Sequence, residues 1–338
     1  MISIEQMRAG SNAYYKGGGV DFSQFTPEVK WWLGAHVDGD GSIRIDRTHG
    51  GMSISVAKAE NAWDTLTYLK NLMGGTISFH APARGEKQAQ KQWYLTGKSA
   101  ADFCTAMADF ILLKRPQALV AQQYATCSGW LSIMNPIQGT HKTTGETVTY
   151  ASSAQAAKEL HIPGPNIADN LAGRRRSAGG YMWTRIENPI DQTAISQQRK
   201  DLIEKIAALK KVPHESISCD LPLPYVAGFL DADGMIRANE VSISQKYIAI
   251  CDAFKAQFGG RIYHNNDTDV WSWHVTKKSE VRDIVSTIYP YLIEKKKQAG
   301  ILLAADVSTP SSKTNANMSV YKGFQGAAKN AINAPLRS

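Results

Sequence analysis

The chain has 338 residues, room for about two domains of ordinary size, and its 43% hydrophobic content can build real cores. No apolar run approaches the ~18 residues that a membrane-spanning helix needs, and the N-terminus lacks a charged-then-apolar signal pattern, so no membrane partner is expected. A formal net charge of +8 and a pI of about 9.2 favour a polyanionic partner, nucleic acid first, and the four scattered cysteines, without metal-ligand spacing, point to reduced thiols inside a cell.

Residues 1–25 are Gly- and Ser-rich and predict an N-terminal arm. Thr26-Pro27-Glu28 has the form of a helix start, with a capping Thr, Pro at the first helical position and an acid in the first turn. That helix runs into Leu33-Gly34-Ala35-His36-Val37-Asp38-Gly39-Asp40-Gly41. Past Gly41 the period drops to two: Ile43 and Ile45, then Ile54 and Val56, alternate with polar residues and predict a hairpin. A helix over 61–73 closes at Gly74-Gly75. Strands at 76–80 and 92–96 flank a basic loop that holds Arg84 and Lys87, and helices follow at 99–110 and 114–126. Residues 26–127 form the first half.

The segment 128–215 is a separate insertion. Its beginning, 129–145, is turn-rich. Short helices at 153–160 and 167–173 flank a turn that two prolines and a glycine enforce, and Arg174-Arg175-Arg176 follows. Helix, short turn, helix and then basic residues is the layout of a helix-turn-helix reader over about 146–186. A longer helix at 195–211 leads out.

Residues 216–306 retrace the first half. Val226-Ala227-Gly228-Phe229-Leu230-Asp231-Ala232-Asp233-Gly234 repeats the acidic stretch, Gly259-Gly260 repeats Gly74-Gly75, and Lys295-Lys296-Lys297-Gln298-Ala299 repeats Lys114-Arg115-Pro116-Gln117-Ala118. The basic tail, 307–338, is Ser-, Asn- and Gly-rich and is not expected to pack as a core element.

The small residues of each stretch let two helix backbones approach closely. If the two helices pack together, Asp40 and Asp233 meet at their C-terminal ends. Two carboxylates repel unless a cation is shared, which predicts Mg²⁺ or a similar hard ion, with Mn²⁺ able to replace it. Paired metals suit in-line displacement at a phosphodiester. A carboxylate at a helix C-terminus is electrostatically misplaced, so two such placements in register point to function.

The two stretches resemble the motifs of the LAGLIDADG homing endonucleases in their single-chain, two-motif form. The second copy fits nearly letter for letter. The first has Gly34-Ala35 where Ala-Gly is usual, and His36 in place of an apolar residue. The resemblance implies an α+β fold: two pseudo-symmetric αββαββα halves with saddle-shaped antiparallel sheets, plus a small helical insert. It implies that Asp40 and Asp233 hold the metals, assisted by the carbonyls of Gly39 and Ala232. Lys114 and Lys295 would organise the attacking water, and Gln245 would position it. In the first half the counterpart of Gln245 is Ala57 counted from the strand, or Glu60 counted from the next helix. Strand alternation turns Ser42, Arg44, Asp46, Ser53 and Ser55 toward DNA, and likewise Arg237, Asn239, Ser242 and Ser244.

The insertion resembles the small helix-turn-helix modules appended to several homing nucleases, which makes Arg174, Arg175 and Arg176 DNA contacts. The expected activity is Mg²⁺-dependent, sequence-specific cleavage of double-stranded DNA by a monomer on an imperfect palindrome. A splicing maturase that binds host intron RNA and a nuclease-derived transcription regulator are the alternatives. The expected compartment is intracellular: bacterial or phage-host cytoplasm, or an organelle.

Overall fold

A computed structural model describes residues 3–8, 20–46, 51–59, 63–82, 89–127, 136–187, 192–209, 217–305 and 310–318. The chain divides into two compact units, one of residues 1–122 with 206–338 and the other of residues 123–205.

In the first unit, the predicted arm is partly structured. A short helix α1 (Ile4–Arg8) buries Ile4, and Phe22 and Phe25 are buried, with Phe22 edge-on to Phe103 at 5.8 Å. Then come α2 (Pro27–Asp40), β1 (Gly41–Ile45), β2 (Met52–Ala59), α3 (Trp63–Met73), β3 (Thr76–Ala81), β4 (Gln90–Thr96), α4 (Gly97–Met107) and α5 (Arg115–Cys127). The strands form an antiparallel sheet in the order β1-β2-β4-β3.

In the second unit the elements are β5 (Ile137–His141), β6 (Thr147–Tyr150), α6 (Ser153–Glu159), α7 (Gly164–Leu171) and β7 (Tyr181–Arg185), and α8 (Gln192–Leu209) leads out of it. The insertion is therefore not purely helical. Its strands pair in the order β6-β5-β7, and the stretch expected to be turn-rich supplies β5. Gly139 hides that strand from sequence reading. It is small because the Trp183 ring of β7 lies over it, where an added Cβ would come within 2.8 Å. Ile137, Ala156, Ile162, Ile167, Ala178 and Trp183 make this unit's own core.

The second half repeats the first: α9 (Leu223–Asp233), β8 (Gly234–Arg237), β9 (Glu240–Gln245), α10 (Ile248–Phe258), β10 (Arg261–Asn265), β11 (Val270–Val275), α11 (Lys278–Ile288) and α12 (Lys296–Ala304). Its sheet has the equivalent order, β8-β9-β11-β10. The repeat extends to single bonds. Both double glycines have left-handed φ values, and the carbonyls of Gly74 and Gly259 accept bonds from the buried Trp93 and Trp273 indoles at 2.8 and 2.7 Å. Two αββαββα halves in an α+β fold are what the sequence predicted.

The tail departs from expectation. Residues 311–318 are helical, Thr314 and Met318 are buried, and Asn315 accepts a bond from the Ala238 amide at 2.8 Å. One methionine and one threonine suffice to anchor a helix against an existing core, which composition alone underrates.

The halves meet through α2 and α9. A Cβ on Gly228 would lie 2.7 Å from the Trp32 carbonyl oxygen and 3.0 Å from the Ala35 Cβ, so glycine there sets the helix spacing. Gly34 serves a different contact. An added Cβ there would stand 1.8 Å from the Phe110 carbonyl oxygen of its own half. The reversed Gly34-Ala35 order thus follows from one residue facing inward and the next facing the partner helix.

Candidate active site at the foot of the motif helices

Each motif helix passes into a strand without a loop: α2 ends at Asp40 and β1 begins at Gly41, and α9 ends at Asp233 and β8 begins at Gly234. Added Cβ atoms on Gly41 and Gly234 would strike Val37 and Leu230 at 2.5 and 2.4 Å, which is why glycine follows the acid twice. A Cβ on Gly39 would lie 2.6 Å from the Ala232 Cβ and 3.6 Å from the Asp233 Cβ. The two helix ends therefore touch where the acids stand.

Asp233 opens to solvent on one side but has protein packed around its carboxyl. That crowding, with Asp40 beside it, pushes Asp233 up to about 6 despite the opposing pull of Lys114, Lys58 and Lys295. The repulsion is the property that a shared hard cation would relieve. Among the described residues no cluster of three His, Cys, Asp or Glu side chains could hold an ion by itself. The fitting donors are two carboxylates and nearby carbonyl oxygens, such as those of Gly39 and Ala232, completed by oxygens from outside the protein.

The first acid of each motif has a separate task. Asp38 accepts the amides of Leu112, Leu113 and Lys114 at 2.7, 3.0 and 2.7 Å. Asp231 accepts those of Ile293 and Lys295 at 2.7 and 2.8 Å. Each then takes a bond across the halves: the Tyr225 hydroxyl reaches Asp38 at 2.8 Å, and the Trp32 indole reaches Asp231 at 3.0 Å. These carboxylates position the segments that carry the lysines.

Lys114 Nζ donates to the carbonyls of Val37 and Asp38 at 2.8 and 2.5 Å, and Lys295 Nζ to those of Leu230 and Asp231, both at 2.6 Å. These are carbonyls of the last turns of α2 and α9, two of which, Val37 and Leu230, also accept the amides of Gly41 and Gly234, so each ammonium caps a helix end that also bears two acids. Burial holds both lysines below their usual range, against the pull of Asp38, Asp233 and Asp40 on Lys114 and of Glu294, Asp231 and Asp40 on Lys295.

Gln245 donates its amide to Asp233 Oδ2. Its counterpart in the first half is neither Ala57 nor Glu60. Gly41 pairs with Val56, and Gly234 pairs with Ile243. Two residues farther along, Lys58 stands where Gln245 does, with Nζ 2.6 Å from Asp40 Oδ2 and 2.9 Å from Glu294 Oε1. A signal was available: Lys58 shares the parity of Ile54 and Val56, the core face, where a lysine needs partners. Glu60 lies outside the described residues. His36 is fully buried, stacks on Trp32 at 3.8 Å and bonds Glu294 at 2.8 Å.

On the outer sheet faces Arg44, Asp46, Arg237, Asn239 and Ser244 are exposed, and Ser42 and Ser53 are partly so. Ser55 and Ser242 are a correction. They are 5% and 4% exposed, because each is a short side chain on an inner strand, overtopped by Tyr94 beside Ser55 and by Met235 and His274 beside Ser242. Arg84 and Lys87 lie outside the described residues. Arg174, Arg175 and Arg176 are exposed after α7, with Arg174 paired to Asp169 at 2.8 Å.

No family model matches the chain, and no curated protein does. Among solved structures it is similar to the LAGLIDADG homing endonuclease I-GzeII in complex with its DNA target, at 12% identity and a TM-score of 0.48, over 81% of this chain and 88% of that one. It is similar to I-SmaMI bound to an uncleaved DNA target in the presence of calcium ions, at 16% identity and a TM-score of 0.46, over 87% and 97%. The LAGLIDADG meganuclease I-AabMI bound to uncleaved DNA gives 14% and 0.45, over 81% and 88%. The chain itself carries two αββαββα repeats joined through the helices that bear the paired acids.

Proposed function

We propose that this protein is a site-specific DNA endonuclease that hydrolyses one phosphodiester in each strand of a long, imperfectly palindromic target. It works as a monomer, since one chain supplies both halves, and it uses Mg²⁺, with Mn²⁺ able to substitute. The observation that carries this reading is the meeting of Asp40 and Asp233 where the two motif helices touch and both sheets begin. A pure DNA binder has no use for two repelling carboxylates at that point.

Divalent ions, when bound, activate the attacking water and stabilise the leaving 3′ oxygen. Asp40 and Asp233 would hold them, with the carbonyls of Gly39 and Ala232 as further donors. Gln245 and Lys58 fix the orientation of the carboxylates. Lys114 and Lys295 stand at the ends of the motif helices, beside the acids, and organise the water. The outer sheet faces read sequence: Arg44 and Arg237 suit guanine, Asn239 suits adenine, and Ser42, Asp46, Ser53 and Ser244 complete the set.

The insertion adds DNA contacts of its own. Arg175 and Arg176 are exposed, and the sheet face opposite α6 and α7 presents Thr147, Thr149, Met182 and Thr184 to solvent. The exposed residues of α7, Pro165 and Ala168, offer little to a base edge, so the arginines and this sheet face are the better contacts.

Incubating the protein with a library of randomised DNA duplexes in Mg²⁺ and sequencing the cut ends tests the proposal. A single long consensus at the ends supports it. Intact DNA, or cutting without sequence preference, contradicts it.

A further inference from the structure

The two centres share one scaffold but differ at three positions. Aligning Asp38 with Asp231 sets His36 against Phe229, aligning Lys114 with Lys295 sets Leu113 against Glu294, and the strand registers set Lys58 against Gln245. In the first centre the three form one polar chain. His36 Nε2 lies 2.8 Å from Glu294 Oε1, the same oxygen lies 2.9 Å from Lys58 Nζ, and Lys58 Nζ lies 2.6 Å from Asp40 Oδ2. In the second centre Phe229 and Leu113 belong to one apolar cluster, and Gln245 reaches the acid.

Glu294 belongs to the second half but serves the acid of the first. Its side chain is 12% exposed, that of Lys58 4% and that of His36 1%. Burial works against the charges of Lys58 and Glu294. Glu294 and Asp40 outweigh it for Lys58, whose ammonium stays above the usual lysine range, and Lys58 and His36 outweigh it for Glu294, which stays well below the usual carboxylate range. The Nδ1 of His36 has no hydrogen-bond partner among the described residues, so Glu294 is the polar anchor of that ring.

Stability does not account for this arrangement. A buried ion pair is commonly no better than apolar residues of similar size, and Phe229 with Leu113 shows that this fold accepts the apolar version. Lys58 and Glu294 also cancel in charge, so the pair leaves the total charge around Asp40 unchanged. What it alters is local: Asp40 Oδ2 is held by an ammonium and Asp233 Oδ2 by a neutral amide.

We propose that Glu294 is a positioning residue that acts across the halves through Lys58, and that it makes the two centres chemically unequal, so that each DNA strand is cut at its own rate. This inference rests on the endonuclease reading above. A duplex bearing the cleaved target, with a different dye on each strand, gives the two nicking rates separately. In the wild-type protein they should differ. Glu294→Leu should slow one strand about tenfold and the other less than about twofold. The triple variant His36→Phe, Lys58→Gln, Glu294→Leu copies the residues of the second half, so it keeps a packed core. It should bring the two rates within about twofold of each other while its melting temperature stays near the wild-type value. Equal slowing of both strands by Glu294→Leu, in step with a lost melting temperature, would reduce Glu294 to a structural residue and overturn the proposal. A triple variant that keeps the wild-type rate ratio would overturn it as well. A wild-type protein that cuts neither strand would instead sink the endonuclease reading, and that arm is scored first.

Discussion

Tyr225 donates its hydroxyl to Asp38 at 2.8 Å, and the bond runs from the second half of the chain into the first. Trp32 returns it to Asp231 at 3.0 Å. Each donor stands six residues before the first acid of its own motif, so a reciprocal pair of bonds crosses between the halves. Tyr225→Phe leaves the shape nearly intact and removes one donor to a buried carboxylate. It should cost about 1.5–3 kcal/mol in urea unfolding, in the range of a hydrogen bond to a charged group. A loss below about 0.5 kcal/mol would mean the crossing bond contributes nothing.

The reversed order of Gly34 and Ala35 gives a second test. The swap Gly34→Ala with Ala35→Gly restores the order of the second copy, yet it should destabilise this protein by at least ~2 kcal/mol. The new methyl meets the Phe110 carbonyl oxygen, which is backbone and cannot swing away. Thermal unfolding measures it, and a neutral or stabilising swap would show that α2 shifts freely against that turn.

Asp233 carries a pH signature. Burial and Asp40 raise its carboxyl to about 6, above its ordinary value of 3.8. The folded protein therefore binds more protons than the unfolded chain between these values, and stability falls as pH rises through that window. In chelator, Asp233→Asn should melt at a higher temperature than wild type at pH 8, with the gain shrinking to nothing below about pH 4. A variant that melts lower at pH 8 would place the carboxylate in a stabilising contact instead.

The C-terminal helical segment offers a fourth test. Asn315 accepts from the Ala238 amide in the turn between β8 and β9. In Asn315→Ala that amide should exchange with solvent at least ~5-fold faster, about 1 kcal/mol of lost protection, while amides of β11 keep their rates. Unchanged exchange at Ala238 would free the hairpin from the tail.

Much of this was legible in the sequence because the repeat doubled every signal. Two acidic stretches, two double glycines and two lysines in register gave the halves and the scaffold of the site. What stayed hidden depends on contacts between distant segments. Both acids of Asp38-Gly39-Asp40 look alike in sequence, and only the loop packed over Asp38 separates the structural acid from the one at the site. Glu294 could not be assigned to the first centre, because its partners are 236 and 258 residues away along the chain. Lys58 could have been found by strand parity, and the burial of Ser55 and Ser242 follows from neighbours that alternation does not reveal.

The central claim is that Asp40 and Asp233 act as the paired acids of a nuclease. The most direct measurement compares wild type with the double variant Asp40→Asn, Asp233→Asn on the selected target in Mg²⁺, scoring cleavage and binding side by side. Cleavage should vanish while affinity in a gel-shift assay stays within about threefold, because the sheet faces proposed to read the DNA are untouched. A double variant that still cuts at a rate near wild type would contradict the account.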